Sequence, residues 1–349
     1  MTASMQLNLQ QAAPQPAEHQ VASLRFNGSE LTVSDVFSTY WRFAAERQRV
    51  FFKKLEGTAP FTTDPILSKF KFTNAYRASD RVSQYLIRCV AYAGDQTPRE
   101  LFFRIILFKL FNKIETWELL RAKLGDVSYR KFSLEAYDRV LSQAMAEGRT
   151  IYSAAYIMPS GNRGNSCRKH HSHLALLQQM MRDDVPCKIA DMRSMESAFV
   201  LLRSYPMIGD FLAFQFVTDL NYSTLTAFDE MDFVVAGPGA RDGLRKCFPN
   251  ADLRRSADLI RLMADIQEQQ FENLGLSFDS LWGRRLQLID CQNLFCEVDK
   301  YSRQAHPHIK GLSGRTRIKQ QFVSADKPLK VFYPPKWQIN GHIPAKYKA

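Results

Sequence analysis

Leu201-Leu202-Arg203-Ser204-Tyr205-Pro206-Met207-Ile208-Gly209-Asp210-Phe211-Leu212-Ala213 is the stretch on which the reading of this chain turns. An apolar helix ends in Pro-x-Ile-Gly and a second helix begins at once, so the connection is short and tight. Glycine permits a backbone geometry that a side chain would obstruct. The free amides at the start of the second helix point outward, where a nucleic-acid phosphate can accept their hydrogen bonds. Ile208 and Gly209 are the expected contact positions. The alternative is an ordinary connection between two core helices.

Working outward, helical spacing recurs. Ser34 is placed as an N-cap, and Val36, Phe37, Tyr40, Phe43, Val50 and Phe51 form one face of a helix running to Lys54 with an Arg-rich outer face. Thr62-Thr63-Asp64-Pro65 breaks it, and further helices are predicted over Ser79–Tyr92, Pro98–Phe111, Ile114–Leu124, Leu134–Glu147 and His170–Arg182. Later ones cover Met195–Tyr205, Gly209–Leu220, Leu253–Leu274 and Leu281–Tyr301, while Ile151–Met158 reads as a short strand. The fold class is therefore mainly α. Residues 1–30 read as a flexible tail, since Met1 to His19 is rich in Gln, Ala and Pro. Residues 31–302 form a helical domain, whole or in two lobes (31–190 and 191–302), and 303–349 an irregular basic extension.

Of the 349 residues 45% are hydrophobic and 25 are Phe, which predicts an aromatic-rich packed interior. Lys and Arg outnumber Asp and Glu by 47 to 35, a formal charge of +12, so the expected partners are polyanions, nucleic acid before acidic membrane. The longest apolar run, Leu101 to Phe111, is interrupted by Arg104 and Lys109, which excludes a membrane span there. The N-terminal residues lack a basic head followed by an apolar run, so the expected location is the cytoplasm. Cys89, Cys167, Cys187, Cys247, Cys291 and Cys296 are scattered and read as free thiols. His170, His171 and His173, beside Arg168 and Lys169, read as a basic surface rather than a metal site. No Gly-Lys-Ser or Gly-Lys-Thr occurs, so the ATP-phosphate loop is missing, and neither metal nor cofactor is expected.

Arginines alternate with aromatics in Trp41-Arg42-Phe43-Ala44-Ala45-Glu46-Arg47 and in Phe72-Thr73-Asn74-Ala75-Tyr76-Arg77-Ala78-Ser79-Asp80-Arg81. Guanidinium groups fork onto phosphate oxygens and rings stack on bases, so these segments suit an extruded nucleotide. Buried Arg–carboxylate pairs, with Glu46 and Asp80 as partners, are the alternative. Gly237-Pro238-Gly239 makes a rigid turn before a helix whose amides can face a phosphate.

The Pro-x-Ile-Gly turn resembles the helix-hairpin-helix of base-excision DNA glycosylases, whose members carry an active-site aspartate about twenty residues after the hairpin glycine. Asp229 falls twenty after Gly209, and Asp232 three further on. A lyase-type glycosylase would keep a lysine near the hairpin, and none stands there. Five further segments are similar to one glycosylase-like family: Tyr40-Trp41-Arg42-Phe43 with Glu46-Arg47, Asp64-Pro65-Ile66-Leu67, Phe72 through Arg81, Asp232 through Gly239, and Cys296-Glu297-Val298-Asp299-Lys300-Tyr301. That family, described as α-glutamyl/putrescinyl-thymine pyrophosphorylases, includes the helical domain of 5-hydroxymethyluracil DNA kinases and phage amino acid:DNA transferases. The resemblance runs from about Ser34 to Tyr301.

The resemblance implies a helix-hairpin-helix glycosylase-like fold and a part in thymidine hypermodification of viral DNA, which protects the genome from restriction. Hydroxymethyluracil is phosphorylated, and a second enzyme then displaces the phosphate with an amine or amino acid such as putrescine or glycine. The missing phosphate loop points to that second step. Partners would be double-stranded DNA carrying modified thymine, the amine or amino acid, and functionally a 5-hydroxymethyluracil DNA kinase. Arg42, Arg47, Asn74, Arg77 and Arg81 would hold phosphate or substrate, Asp229 or Asp232 would act as base, and Ile208, Gly209, Gly237 and Gly239 would meet DNA. A glycosylase that excises a modified base and a non-catalytic DNA-binding module are the alternatives.

Overall fold

A computed structural model describes residues 23–26, 28–156, 158–160, 168–323 and 329–349. The chain is mainly helical, with a two-stranded antiparallel hairpin, β1 (Ser23–Phe26) and β2 (Ser29–Thr32), ahead of the helices. In order come α1 (Asp35–Glu56), α2 (Pro65–Lys69), α3 (Arg81–Tyr85), α4 (Pro98–Phe111), α5 (Ile114–Leu124), α6 (Leu134–Ala146) and α7 (Lys169–Arg182). Then follow α8 (Val185–Ala190), α9 (Met195–Arg203), α10 (Asp210–Asn221), α11 (Pro238–Cys247), α12 (Ser256–Asp265), α13 (Gln267–Asn273) and α14 (Leu288–Ala305).

Local signals set these bounds. Ser34 caps α1 by accepting from the Val36 amide, and Gly57 in the left-handed region closes it. Pro98 stands in the first turn of α4 and Asn112, at φ 48°, ends it. Gln287 and Asp290 form a reciprocal capping box at the start of α14. Helix α14 is the hub: α1, α11 and α12 all pack on it. Helix α11 lies very close because Gly239 and Gly243 present no side chain there. A Cβ on Gly243 would stand 2.1 Å from the Phe295 carbonyl oxygen, and one on Gly239 3.2 Å from Cys296 Sγ. Helix α4 is buried on nearly every side, Arg104 and Lys109 included.

Several predicted elements differ. Ile151–Met158 is irregular rather than a strand, with residue 157 outside the described ones; its place is fixed by Ser153 donating to the Phe111 carbonyl and by Tyr152 bonding His173. Ser79–Tyr92 is a 3-10 turn (Arg77–Ser79), then α3, then a π turn (Leu86–Ala91) whose Val90 carbonyl is taken by Arg104. Leu253–Leu274 divides into a 3-10 turn, α12 and α13, and the last long helix starts at Leu288, not Leu281, because the backbone reverses at Trp282 and Gly283, both at positive φ, and Leu281 bridges Arg284. Residues 1–22 of the expected tail lie outside the described residues, and the hairpin begins at Ser23, inside the expected tail. The expected basic extension is irregular but anchored: Val331, Tyr333, Ile339 and Ile343 are buried. Lys336 donates to the carbonyls of Asn221, Ser223 and Thr226 at the end of α10.

The histidine cluster is a surface only in part: Arg168 and His171 reach solvent, and the other two histidines do not. His170 and His173 are fully buried, the first against Asp138 and Ser142, the second between the Tyr152 hydroxyl and the Pro159 carbonyl. Cys89, Cys187, Cys247, Cys291 and Cys296 are free thiols, and Cys167 lies outside the described residues. Among the described residues no helix is long and apolar enough to cross a membrane.

Candidate functional site

The string Phe72–Arg81 is folded into a turn stapled to α14. Glu297 accepts from the Thr73 amide at 2.9 Å, Asn293 donates to the Thr73 hydroxyl at 2.9 Å, and Asp290 accepts from the Arg77 amide at 2.8 Å. Within the turn, Asp80 takes the Asn74 amide at 2.7 Å while the Asn74 side chain donates to the Ser79 carbonyl at 2.7 Å. Burial pushes the Asp80 carboxyl up to about 7, against the Asn74 bond and the nearby Arg47 charge. Two segments that were quoted together for their resemblance, Phe72–Arg81 and Cys296–Tyr301, thus touch through Glu297. Lys300 pairs with the same carboxylate at 2.7 Å, and Tyr301 reaches Asp64, the cap of α2.

This turn drives the Arg77 side chain into the interior. Its guanidinium grips Asp219 of α10 with two bonds, at 2.8 and 2.9 Å, and Gln215 at 3.0 Å. Lys109 of α4 reaches the same Asp219 carboxylate at 3.0 Å and donates to Asn112 at 2.7 Å. Two buried cations therefore share one carboxylate. Burial pushes the Asp219 carboxyl up, but Arg77 and Lys109 together hold it below the ordinary range. Burial lowers the Lys109 ammonium to about 8, with Asp219 opposing and Arg77 adding to the shift. Arg77 stays charged because Asp219 outweighs its burial.

Over the cations lies a pair of half-buried rings. Tyr156 and Phe211 are stacked with centroids 5.6 Å apart and planes 6° from parallel, and the Lys109 ammonium sits 4.4 Å from the Tyr156 centroid. Phe211 belongs to the first turn of α10, two residues after Gly209. Its ring lies so close to Gly237 that a Cβ there would meet it at 2.6 Å. Arg77, Lys109, Asp219, Tyr156 and Phe211, drawn from four places in the chain, form a buried charged cluster with the Tyr156 ring over its lysine and Phe211 stacked on that ring. That arrangement suits a ligand with a flat ring and a negative group.

The expected site residues are not all here. Arg77 is buried with all three side-chain nitrogens turned to Asp219 and Gln215, so it supplies charge rather than an exposed fork for phosphate. Arg47 is buried too, near Asp80 and Glu297, which is the buried alternative in part. Asn74 braces its own turn. Arg42 is exposed in a cleft of about 500 Å³ with Arg49, Thr63 and His306, on another face of α1. Arg81 is exposed and meets Glu115 at 3.5 Å.

Helices α9 and α10 pack together across the turn, as the quoted segment predicts. The reason offered for Gly209 does not hold. Its φ is −88°, a Cβ there would meet nothing within 4 Å, and the left-handed residue is Met207 at φ 66°. Gly209 is exposed, but Ile208 buries its side chain and donates its amide to the Tyr205 carbonyl. Asp210 sets a carboxylate at the helix start, paired with Arg203. Gly237 and Gly239 are packing glycines, the first buried against Phe211 and the second half-buried against Cys296. Asp229 and Asp232 are both exposed on the loop after α10, with Asp229 accepting the Met231 amide at 2.8 Å and Arg261 holding the Asp232 carbonyl at 2.8 Å.

Lys109, Asp219, Tyr156 and Phe211 were not among the expected site residues. A signal existed: Lys109 and Asp219 each stand among apolar residues in a helix that is buried on most sides, and a charge with no solvent face must have a partner.

The chain matches the family model described as 5-hmdU DNA kinase, helical domain, over residues 34–311. A curated relative, the 5-hmdU DNA kinase of Bacillus phage SP10, is 24% identical over 304 residues, covering 80% of this chain and 47% of the relative. The chain thus spans about half the length of that relative. No solved structure matches it. The matched span contains the Phe72–Arg81 turn, the α9–α10 pair and all five residues of the charged and aromatic cluster, and the chain belongs to the family of 5-hmdU DNA kinase helical domains.

Proposed function

We propose that the chain is a transferase in phage thymidine hypermodification: it takes a 5-phosphomethyluracil extruded from double-stranded DNA and replaces the phosphate with an amine or amino acid. The observation that carries this reading is the pair of buried cations, Arg77 and Lys109, sharing the single carboxylate of Asp219 beneath the stacked rings of Tyr156 and Phe211. Arg77 neutralises Asp219, which leaves the Lys109 charge for an anion. A thymine-derived base bearing a phosphate has the matching parts, a flat ring to stack and a dianion to pair.

In the reaction the amine nitrogen bonds to the exocyclic methylene carbon while the carbon–oxygen bond to phosphate breaks, the phosphate leaving with the electron pair. Lys109 stabilises that leaving charge in a dry setting, where a fixed cation acts strongly. The proton lost by the amine goes to Asp229 or Asp232, whose exposed position keeps them open to a co-substrate from solvent. The α9–α10 turn lies against the DNA backbone, and the site of action is the host cytoplasm.

A second reading, a non-catalytic module that presents modified DNA to a 5-hydroxymethyluracil DNA kinase, is favoured by the match to a domain of a relative about twice as long. Nucleoside mass spectrometry separates the readings. DNA containing 5-phosphomethyluracil is incubated with the protein and a mixture of amines and amino acids. The transferase yields a nucleoside in which one amine replaces phosphate, and Asp229→Asn or Asp232→Asn then removes turnover while binding persists. Bound but unchanged DNA supports the presenting module, and a lost base supports a glycosylase.

A further inference from the structure

We infer that the Tyr156 ring stands in the place the extruded base takes, and that Phe211 is the face on which that base stacks. The inference rests on the proposed reading of the site as a pocket for a phosphate-bearing base.

Four observations converge. First, the two rings are 6° from parallel, the relation of stacked bases, and the Lys109 ammonium lies 4.4 Å from the Tyr156 centroid. Whatever replaces that ring sits directly over a cation that must share its one carboxylate with Arg77. Second, no base fits between the rings as they stand. A base sandwiched between two rings needs two stacking separations of about 3.4 Å each, and the centroids are only 5.6 Å apart. One ring must give way.

Third, the two rings are held differently. Phe211 rides on α10, with its ring seated in the space that Gly237 leaves free. Tyr156 lies outside regular structure and holds φ 55°, a left-handed conformation that an aromatic residue rarely adopts. Fourth, the segment is pinned on either side of Tyr156. Buried His173 bonds the Tyr152 hydroxyl at 2.7 Å and the Pro159 carbonyl at 2.9 Å, and Ser153 donates to the Phe111 carbonyl at 2.9 Å. A strained ring between fixed anchors can leave its seat without unfolding the surroundings. Tyr156 is therefore the ring that yields, and its departure exchanges a neutral phenol for a phosphate above Lys109.

The test measures the affinity of the full chain for two duplexes that differ only in thymine against 5-phosphomethyluracil, using wild type, Tyr156→Gly, Phe211→Ala and Lys109→Met. Glycine accepts positive φ without strain, which offsets part of the lost stacking, so Tyr156→Gly should remain folded. Tyr156→Asn, which also tolerates that conformation, is the second variant if it does not. Removing the competing ring should tighten binding of the phosphomethyl duplex about tenfold and leave the thymine duplex unchanged. Removing the stacking face in Phe211→Ala should weaken it by about tenfold, the lower part of the range for one base on one ring. If Tyr156→Gly and Tyr156→Asn bind no tighter while Lys109→Met and Phe211→Ala still weaken binding, the displaced-ring inference is overturned and the pocket stands. If neither wild type nor any variant distinguishes the duplexes, both fall together.

Discussion

The turn Ser204–Asp210 and the turn Phe72–Arg81 are both short connections ahead of a helix, yet they are built on opposite terms. The first lies largely in solvent, and the ion pair at its ends, Arg203 with Asp210, is exposed. The second is mostly buried; Asn74 and Asp80 brace it from within, and its other polar groups are met by distant ones: Thr73 by Glu297, the Arg77 amide by Asp290, the Arg77 side chain by Asp219, Ser79 by Tyr333. A turn in water is compatible with many sequences because water satisfies its backbone. A buried polar turn admits few, because every donor left without its acceptor costs free energy. The buried turn is thus the more informative of the two, and it is the one that aims a charge at the candidate site.

The largest way to break this contrast is Asp219→Ala. It leaves Arg77 and Lys109 buried without their shared carboxylate, and removal of one partner from a buried ion pair costs about 3–5 kcal/mol. Chemical denaturation should show a loss of that size; a loss under about 1 kcal/mol would mean that the cations find water or another partner.

Glycine replacements probe the same contrast through packing. Gly243→Ala forces a Cβ against the Phe295 carbonyl and should destabilise by about 1–3 kcal/mol as overpacking does, whereas Gly209→Ala, which meets nothing, should cost less than about 1 kcal/mol. Equal melting shifts for the two would contradict the close approach of α11 to α14.

The pH dependence of binding sharpens the electrostatic half. Lys109 titrates near 8, so it is charged below that pH and neutral above it. Phosphate is already a dianion by pH 7, since its second pKa is about 6. Affinity for the phosphomethyl duplex should therefore fall between pH 7 and 9 in the wild type and stay level in Lys109→Met. The smallest effect concerns the exposed turn. If its amides meet a DNA phosphate, Asp210→Asn removes a repelling charge at the helix start and should raise affinity for any duplex a few-fold at low salt. An unchanged affinity would take that turn out of the DNA contact.

Much of the fold was legible because its signals are local. Ser34 capping α1, Pro98 opening α4 and the periodic faces of the longer helices need no knowledge of distant contacts. The site was legible only in part. Arg77 was singled out, but its partner stands 142 positions away and no spacing rule links them. Lys109 was noticed only as an interruption of an apolar run. A Gly-Pro-Gly turn before a helix resembles an anion site, yet glycines that admit a neighbouring ring or helix, as Gly237 and Gly239 do, read the same way in one dimension. The C-terminal residues carry no period, so nothing local announces that Tyr333 is buried or that Trp337 donates to Glu230 at 2.7 Å.

The most direct measurement is the ratio of affinities of the wild-type protein at pH 7 for two duplexes that differ by one phosphate, 5-phosphomethyluracil against 5-hydroxymethyluracil. A buried lysine that shares its only carboxylate with Arg77, and turns to that phosphate, predicts a preference of about tenfold or more for the phosphorylated duplex, one charge-assisted contact being worth about 1.5–3 kcal/mol, and its loss in Lys109→Met. Equal affinity for the two duplexes would contradict the assignment of the Arg77–Asp219–Lys109 cluster to a phosphate-bearing base.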